Sequence, residues 1–116
     1  MPDNDLDLYQ QNALRTWKLH PDDRAAGALN AALGLTGEAG EVADLVKKWL
    51  YPSKEGDGLT FGTEAANELG DVLYYVAVFA RVVLDMPLSE IARINADKLK
   101  KRHAHYLAQK GIAHAD

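Results

Sequence analysis

Glu68-Leu69-Gly70-Asp71-Val72-Leu73-Tyr74-Tyr75-Val76-Ala77-Val78-Phe79-Ala80-Arg81-Val82-Val83-Leu84 is the stretch on which the fold turns. Two carboxylates three residues apart open it, and over residues 72–84 only Arg81 is not apolar. A helix apolar all round has to be covered all round. The run is too short to cross a bilayer, which takes about 20 apolar residues. A chain this short has few other helices with which to cover it. The composition therefore points to a subunit interface and an obligate homo-oligomer, the alternative being a bundle core built wholly within the chain.

The segments around it also read as helical. The apolar helix itself is expected over residues 63–85, with Thr63 as its N-cap. Before it, residues 52–62 carry Pro52, Ser53, Gly56, Asp57, Gly58 and Gly62 and read as a loop. An Ala- and Leu-rich helix precedes that loop over residues 24–50, stopped by Tyr51-Pro52. It contains Gly27, Gly34, Gly37 and Gly40. Each glycine costs roughly 1 kcal/mol against alanine in a helix interior, so four of them imply a kink, a break or close approach by another backbone or ligand. The first helix is expected over residues 5–19, where Leu6, Tyr9, Ala13, Leu14 and Trp17 form a stripe; His20-Pro21 ends it. After Met86-Pro87, Ser89 is expected to cap a fourth helix over residues 90–110, closed by Gly111. No β-alternation, internal repeat or low-complexity segment is present. The reading is all-α, one domain over residues 1–116.

Composition narrows the function classes. The chain has 116 residues, a net charge of −4 and no cysteine. A nucleic-acid binder usually shows a basic face, which this balance disfavours. A small phosphate ligand stays compatible, because a bound cation reverses the local sign. Disulfides and thiolate metal sites are excluded. The N-terminal Met1-Pro2-Asp3-Asn4-Asp5 lacks the basic-then-apolar order of a signal peptide. A cytoplasmic protein without membrane or nucleic-acid partners is expected.

Two acidic pairs carry the chemistry. Glu38 and Glu41 lie three apart on the second helix, and Glu68 and Asp71 three apart on the third. Residues at i and i+3 are neighbours on one helix face, about 5–6 Å apart at Cβ. Four carboxylates converging from two packed helices suit a hard cation, Mg²⁺ or Mn²⁺. Both pairs interrupt apolar runs, and like charges there resist desolvation unless a cation compensates them. Solvated surface charge is the alternative.

Leu33-Gly34-Leu35-Thr36-Gly37-Glu38-Ala39-Gly40-Glu41-Val42-Ala43-Asp44-Leu45-Val46-Lys47-Lys48, followed by Glu68-Leu69-Gly70-Asp71-Val72-Leu73-Tyr74-Tyr75, resembles the MazG-like nucleotide pyrophosphohydrolases of the all-α NTP pyrophosphatase superfamily. Their signature is ExxE, a spacer, then ExxD. The resemblance covers about residues 8–102. It implies a four-helix bundle assembled as a homodimer or a dimer of dimers. It implies hydrolysis of a nucleoside triphosphate to the monophosphate and pyrophosphate, as nucleotide-pool house-cleaning. Glu38, Glu41, Glu68 and Asp71 would bind magnesium, with Glu38 or Glu41 as general base.

Other candidates follow from the same resemblance. Asn95, Lys98 and Arg102 share one face of the fourth helix, where relatives direct cationic side chains at phosphates; a solvated basic face is the plain alternative. Asn30, Lys48, Trp49 and Tyr75 occupy or border positions that relatives use for base or phosphate contact, with Lys47 equally a partner for its helix dipole. Trp49 is also an ordinary core or interface aromatic. Asp44 reads as a surface charge. The histidines His20, His103, His105 and His114 form no catalytic set. Two other functions remain open: phosphoribosyl-ATP pyrophosphohydrolysis, although Gly37 stands where that enzyme's motif has a second glutamate, and a non-catalytic helical binding or oligomerisation module.

Overall fold

The computed structural model describes residues 4–19 and 22–111. His20 and His114 lie outside them. The described residues form four helices and no strand: α1 (Asp5–Leu14), α2 (Arg24–Leu50), α3 (Phe61–Val82) and α4 (Leu88–Gln109).

α2 runs unbroken through all four of its glycines, so none of them marks a break. Asp23 caps its start, its carboxylate accepting from the Ala26 N–H at 3.1 Å. α2 and α3 form the main antiparallel pair. Two glycines of α2 are sites of close approach. A Cβ on Gly27 would lie 2.8 Å from Val82 Cγ1, and one on Gly34 would overlap the Tyr75 ring. Seven residues forward on α2 matches seven residues back on α3, which sets the register.

Three boundaries differ from the sequence expectation. α1 stops at Leu14, five residues early. Its next three N–H groups reach back only three residues, and the Thr16 hydroxyl donates to the Ala13 carbonyl at 2.8 Å, competing with the helix ladder. α3 begins at Phe61 after Thr60, so Thr63 is not its cap. Phe61 stacks on Trp49 with centroids 4.5 Å apart, and Gly58, with φ +82°, lets the loop pass close against the Trp49 backbone. That packing pulls the helix start forward. α4 begins at Leu88, and Ser89 caps nothing.

The start of α4 is instead held by α1. Gln10, 2% exposed, donates from Nε2 to the carbonyls of Ala77 and Met86, and its Oε1 accepts from the Leu88 N–H at 3.0 Å. One turn earlier, Asp7 accepts from the Ser89 N–H at 2.8 Å and the Ser89 hydroxyl at 2.7 Å. Orphan N–H groups of a helix start are thereby satisfied from another helix. The reversal between α3 and α4 passes through Asp85 at φ 52°, a left-handed conformation that aspartate tolerates. Gly111, at φ +70°, closes α4 as expected.

Beyond its first turns α4 stands clear of the rest. Its backbone comes close to those of α1 and α3 but not to that of α2, and residues 92–103 are all exposed. The radius of gyration is 18.2 Å, against about 13 Å for a compact chain of this length. The buried apolar core is small: Ala13, Ala31, Ala77, Val78, Ala80 and Leu88. Leu29 and Leu33 on α2, and Leu69 and Leu73 on α3, remain exposed. No helix among the described residues is long and apolar enough to cross a membrane.

Candidate metal and nucleotide site

Glu38 of α2 and Glu68 and Asp71 of α3 each bring one carboxylate oxygen within 4.8 Å of the others. The helix spacing explains the α3 pair, and the antiparallel register brings Glu38 level with Asp71. Glu38 and Glu68 are half-buried while Asp71 is exposed. The Glu38 carboxyl, hydrogen-bonded to Glu68, raises the pKa of Glu68 above its ordinary value; burial and the charges of Glu38, Asp71 and Glu64 add to the effect. Glu68 Oε2 is buried with no hydrogen-bond partner among the described residues. A buried, unpaired carboxylate oxygen facing two other carboxylates is unfavourable for the protein alone, and a hard cation is the partner that relieves it. The donor set is all oxygen, as Mg²⁺ or Mn²⁺ requires, so these residues fit such an ion.

Glu41 lies outside this group of three. It is exposed, and its charge is felt by Lys48 further along α2. Lys48 itself is paired with Asp44 at 2.8 Å, a half-exposed i,i+4 bridge whose hydrogen bond and charge raise the lysine pKa. Asp44 is thus a lysine partner on the acidic face.

Tyr75 is half-buried, one turn beyond Asp71, against Gly34 and edge-on to Tyr74 at 5.1 Å. Asn30 is exposed on α2. One face of Trp49 is covered by Phe61, yet the residue is still 52% exposed. Asn95, Lys98 and Arg102 are exposed on α4, with Lys98 and Arg102 lining a shallow groove made of α4 residues alone. The chain therefore gathers three of the four carboxylates and leaves the α4 cations apart from α2.

The structure adds Tyr9. Its pKa is raised by burial first and then by the negative charge of Asp71. In the sequence Tyr9 is only one member of the α1 stripe. No spacing rule links it to Asp71, because the link is the docking of α1 on α3.

The sequence model of the MazG nucleotide pyrophosphohydrolase domain matches residues 27–107, which contain all four carboxylates and the α4 cations. The chain belongs to the MazG family. A curated relative, the Gene 37 protein of Mycobacterium phage L5, is 38% identical over 104 residues, covering 84% of this chain and 87% of the relative. No solved structure matches the chain. MazG domains are generally nucleotide pyrophosphohydrolases dependent on divalent metal, and the acidic cluster stands in the matched region.

Proposed function

We propose that this MazG domain hydrolyses a nucleoside or deoxynucleoside triphosphate to the monophosphate and pyrophosphate, with Mg²⁺ held by Glu38, Glu68 and Asp71. The observation that carries the reading is the convergence of these carboxylates around the buried, unpartnered Glu68 Oε2. When bound, the cation neutralises the polyphosphate, polarises the phosphoryl group and lowers the pKa of bound water. Glu41, one turn from Glu38 and outside the group of three, is the carboxylate left to take the proton from the attacking water or to complete the cation's ligands. Tyr75 and Trp49 offer aromatic surface to a base, Asn30 an amide, and Lys48, Asn95, Lys98 and Arg102 polar contacts to phosphate. Nucleotide-pool house-cleaning in the cytoplasm is the role this chemistry serves.

Assembly belongs to the same reading. Leu33 is 64% exposed and Leu29 63%, on the helix that carries Glu38. Exposed leucines on both helices of the pair, with so small a core, support a homodimer or homotetramer. Sedimentation at micromolar concentration checks this, and a stable monomer would contradict it.

Incubation with a panel of NTPs and dNTPs plus Mg²⁺, with pyrophosphate as the readout, tests the activity. Turnover should stop with EDTA and return with Mg²⁺ or Mn²⁺. Full activity in excess chelator would sink the mechanism. No turnover of any nucleotide would favour a binding module, and turnover of phosphoribosyl-ATP alone would favour that substrate.

A further inference from the structure

In α4 only the first turns pack. Leu88 is buried, and Ile91 lines an apolar niche with Phe79, Ala80 and Leu84. From 92 to 103 every residue is exposed, and the α4 backbone stays away from that of α2. Arg93 pairs with Glu90 and Asp97, which stiffens α4 but ties it to no other element. The helix is a rod of 22 residues held at one end.

The direction of such a rod is fixed at its base. Apolar contact is non-directional, so Leu88 and Ile91 keep the helix down without aiming it. Hydrogen bonds are directional and weaken steeply when bent. Those at this base come from two α1 side chains one turn apart. Gln10 ties the carbonyls of Ala77 and Met86 to the Leu88 N–H. Asp7 accepts from both the N–H and the hydroxyl of Ser89. Arg102 lies fourteen residues beyond Leu88, about 21 Å along the helix axis. A tilt of about 10° at the base moves it by about 4 Å, which exceeds the roughly 3 Å length of a hydrogen bond.

Resting on the proposed pyrophosphohydrolase reading, we propose that Asp7 and Gln10 are positioning residues for the reaction: they aim α4, and thereby set where Lys98 and Arg102 meet the phosphates of the nucleotide. Neither touches the substrate. Their loss loosens phosphate contacts made in ground state and transition state alike, so KM rises with kcat unchanged. The carboxylates stand on α2 and α3, so metal affinity of the empty protein stays as it was.

Asp7→Ala and the pair Ser89→Ala and Ser89→Thr test this by two independent readouts. The first is steady-state kinetics with dNTPs. Asp7→Ala should raise KM about tenfold, the effect of one charge-assisted hydrogen bond lost to phosphate, at unchanged kcat. Ser89→Ala should shift KM in the same direction, and Ser89→Thr, which keeps the hydroxyl, should restore it. The second readout is the aim of the helix itself. The chain has no cysteine, so Ala66→Cys on α3 and His105→Cys on α4, both exposed, take nitroxide labels cleanly. Pulsed electron resonance, with labelled protein diluted in unlabelled, should show a narrow distance distribution that broadens by several ångströms in Asp7→Ala and in Ser89→Ala. An unchanged distribution in both overturns the proposal. So does a loss of kcat at constant KM, which is the mark of a smaller folded fraction. If Asp7→Ala fails to fold, the Ser89 pair decides by the same criteria. If Arg102→Ala keeps wild-type kcat/KM, the underlying phosphate reading falls and the inference with it. If Arg102→Ala is impaired while Asp7→Ala and Ser89→Ala are not, the inference alone falls.

Discussion

Gly34 of α2 lies directly under the ring of Tyr75 on α3, with no room for a Cβ between them. This contact sits one turn from Glu38 on one helix and one turn from Asp71 on the other. It therefore sets how closely the two helices approach where the carboxylates meet.

Gly34→Ala should destabilise the protein by about 1–3 kcal/mol, the usual cost of overpacking a close contact. It should also lower activity, because the helices must separate beside the carboxylates. Urea denaturation measures the first effect and steady-state kinetics the second. A variant as stable and active as the wild type would show that the Tyr75 ring swings aside at no cost.

Gly37→Ala and Gly40→Ala should behave differently. A Cβ at either position meets nothing within 4 Å among the described residues of the single chain. Helix propensity alone predicts a gain of up to about 1 kcal/mol for each. If either substitution instead impairs assembly or nucleotide binding, a second protomer or the substrate comes close to that face. Sedimentation and nucleotide titration tell those two cases apart.

Gln10→Ala should be among the most damaging changes outside the carboxylate site. It strips a partner from the carbonyls of Ala77 and Met86 and from the Leu88 N–H. A buried polar group left unpaired costs about 1–3 kcal/mol, so a loss of about 2 kcal/mol or more is expected. Thermal melts should show it, together with faster amide exchange at Leu88. Unchanged exchange there would mean that α4 is anchored by other contacts.

Asp7 makes a pH-dependent contribution. Hydrogen bonds from Ser89 hold its pKa below the usual aspartate value, against an opposing effect of burial. Its stabilisation is therefore fully present above the unfolded pKa, near pH 4, and is lost as pH falls through the lower folded value. Asp7→Asn should be less stable than the wild type at pH 7, and the gap should close on acidification below about pH 4. Denaturant curves at several pH values follow this gap. One that stayed constant down to acid would assign the loss to shape rather than charge.

Glu68→Gln should raise stability in the absence of metal, because it removes one of three crowded carboxylates. Magnesium should stabilise the wild type in proportion to its binding and the variant much less. Paired melts in EDTA and in millimolar Mg²⁺ give both numbers. Equal magnesium gains in the two proteins would mean that the ion binds elsewhere.

Much of this protein follows from local sequence. The span of α2, the paired carboxylates on α2 and α3, and the closing turn at Gly111 rest on spacing, helix period and backbone freedom, which near neighbours determine. The glycines of α2 announced a kink, a break or a close approach; only Gly27 and Gly34 are sites of close approach, with partners about 40–55 residues away, while Gly37 and Gly40 meet nothing within 4 Å among the described residues. Only the tertiary structure decided the register that sets Glu38 beside Glu68 and Asp71 while leaving Glu41 outside, and the placing of Tyr9 near Asp71. It also decided that Asp7 and Gln10 satisfy the start of α4, which the sequence assigns to Ser89. Ser89 was the local choice because its hydroxyl can cap its own helix. A carboxylate and an amide from another helix took over those hydrogen bonds once α1 docked, and no periodicity along the chain records which helix docks where.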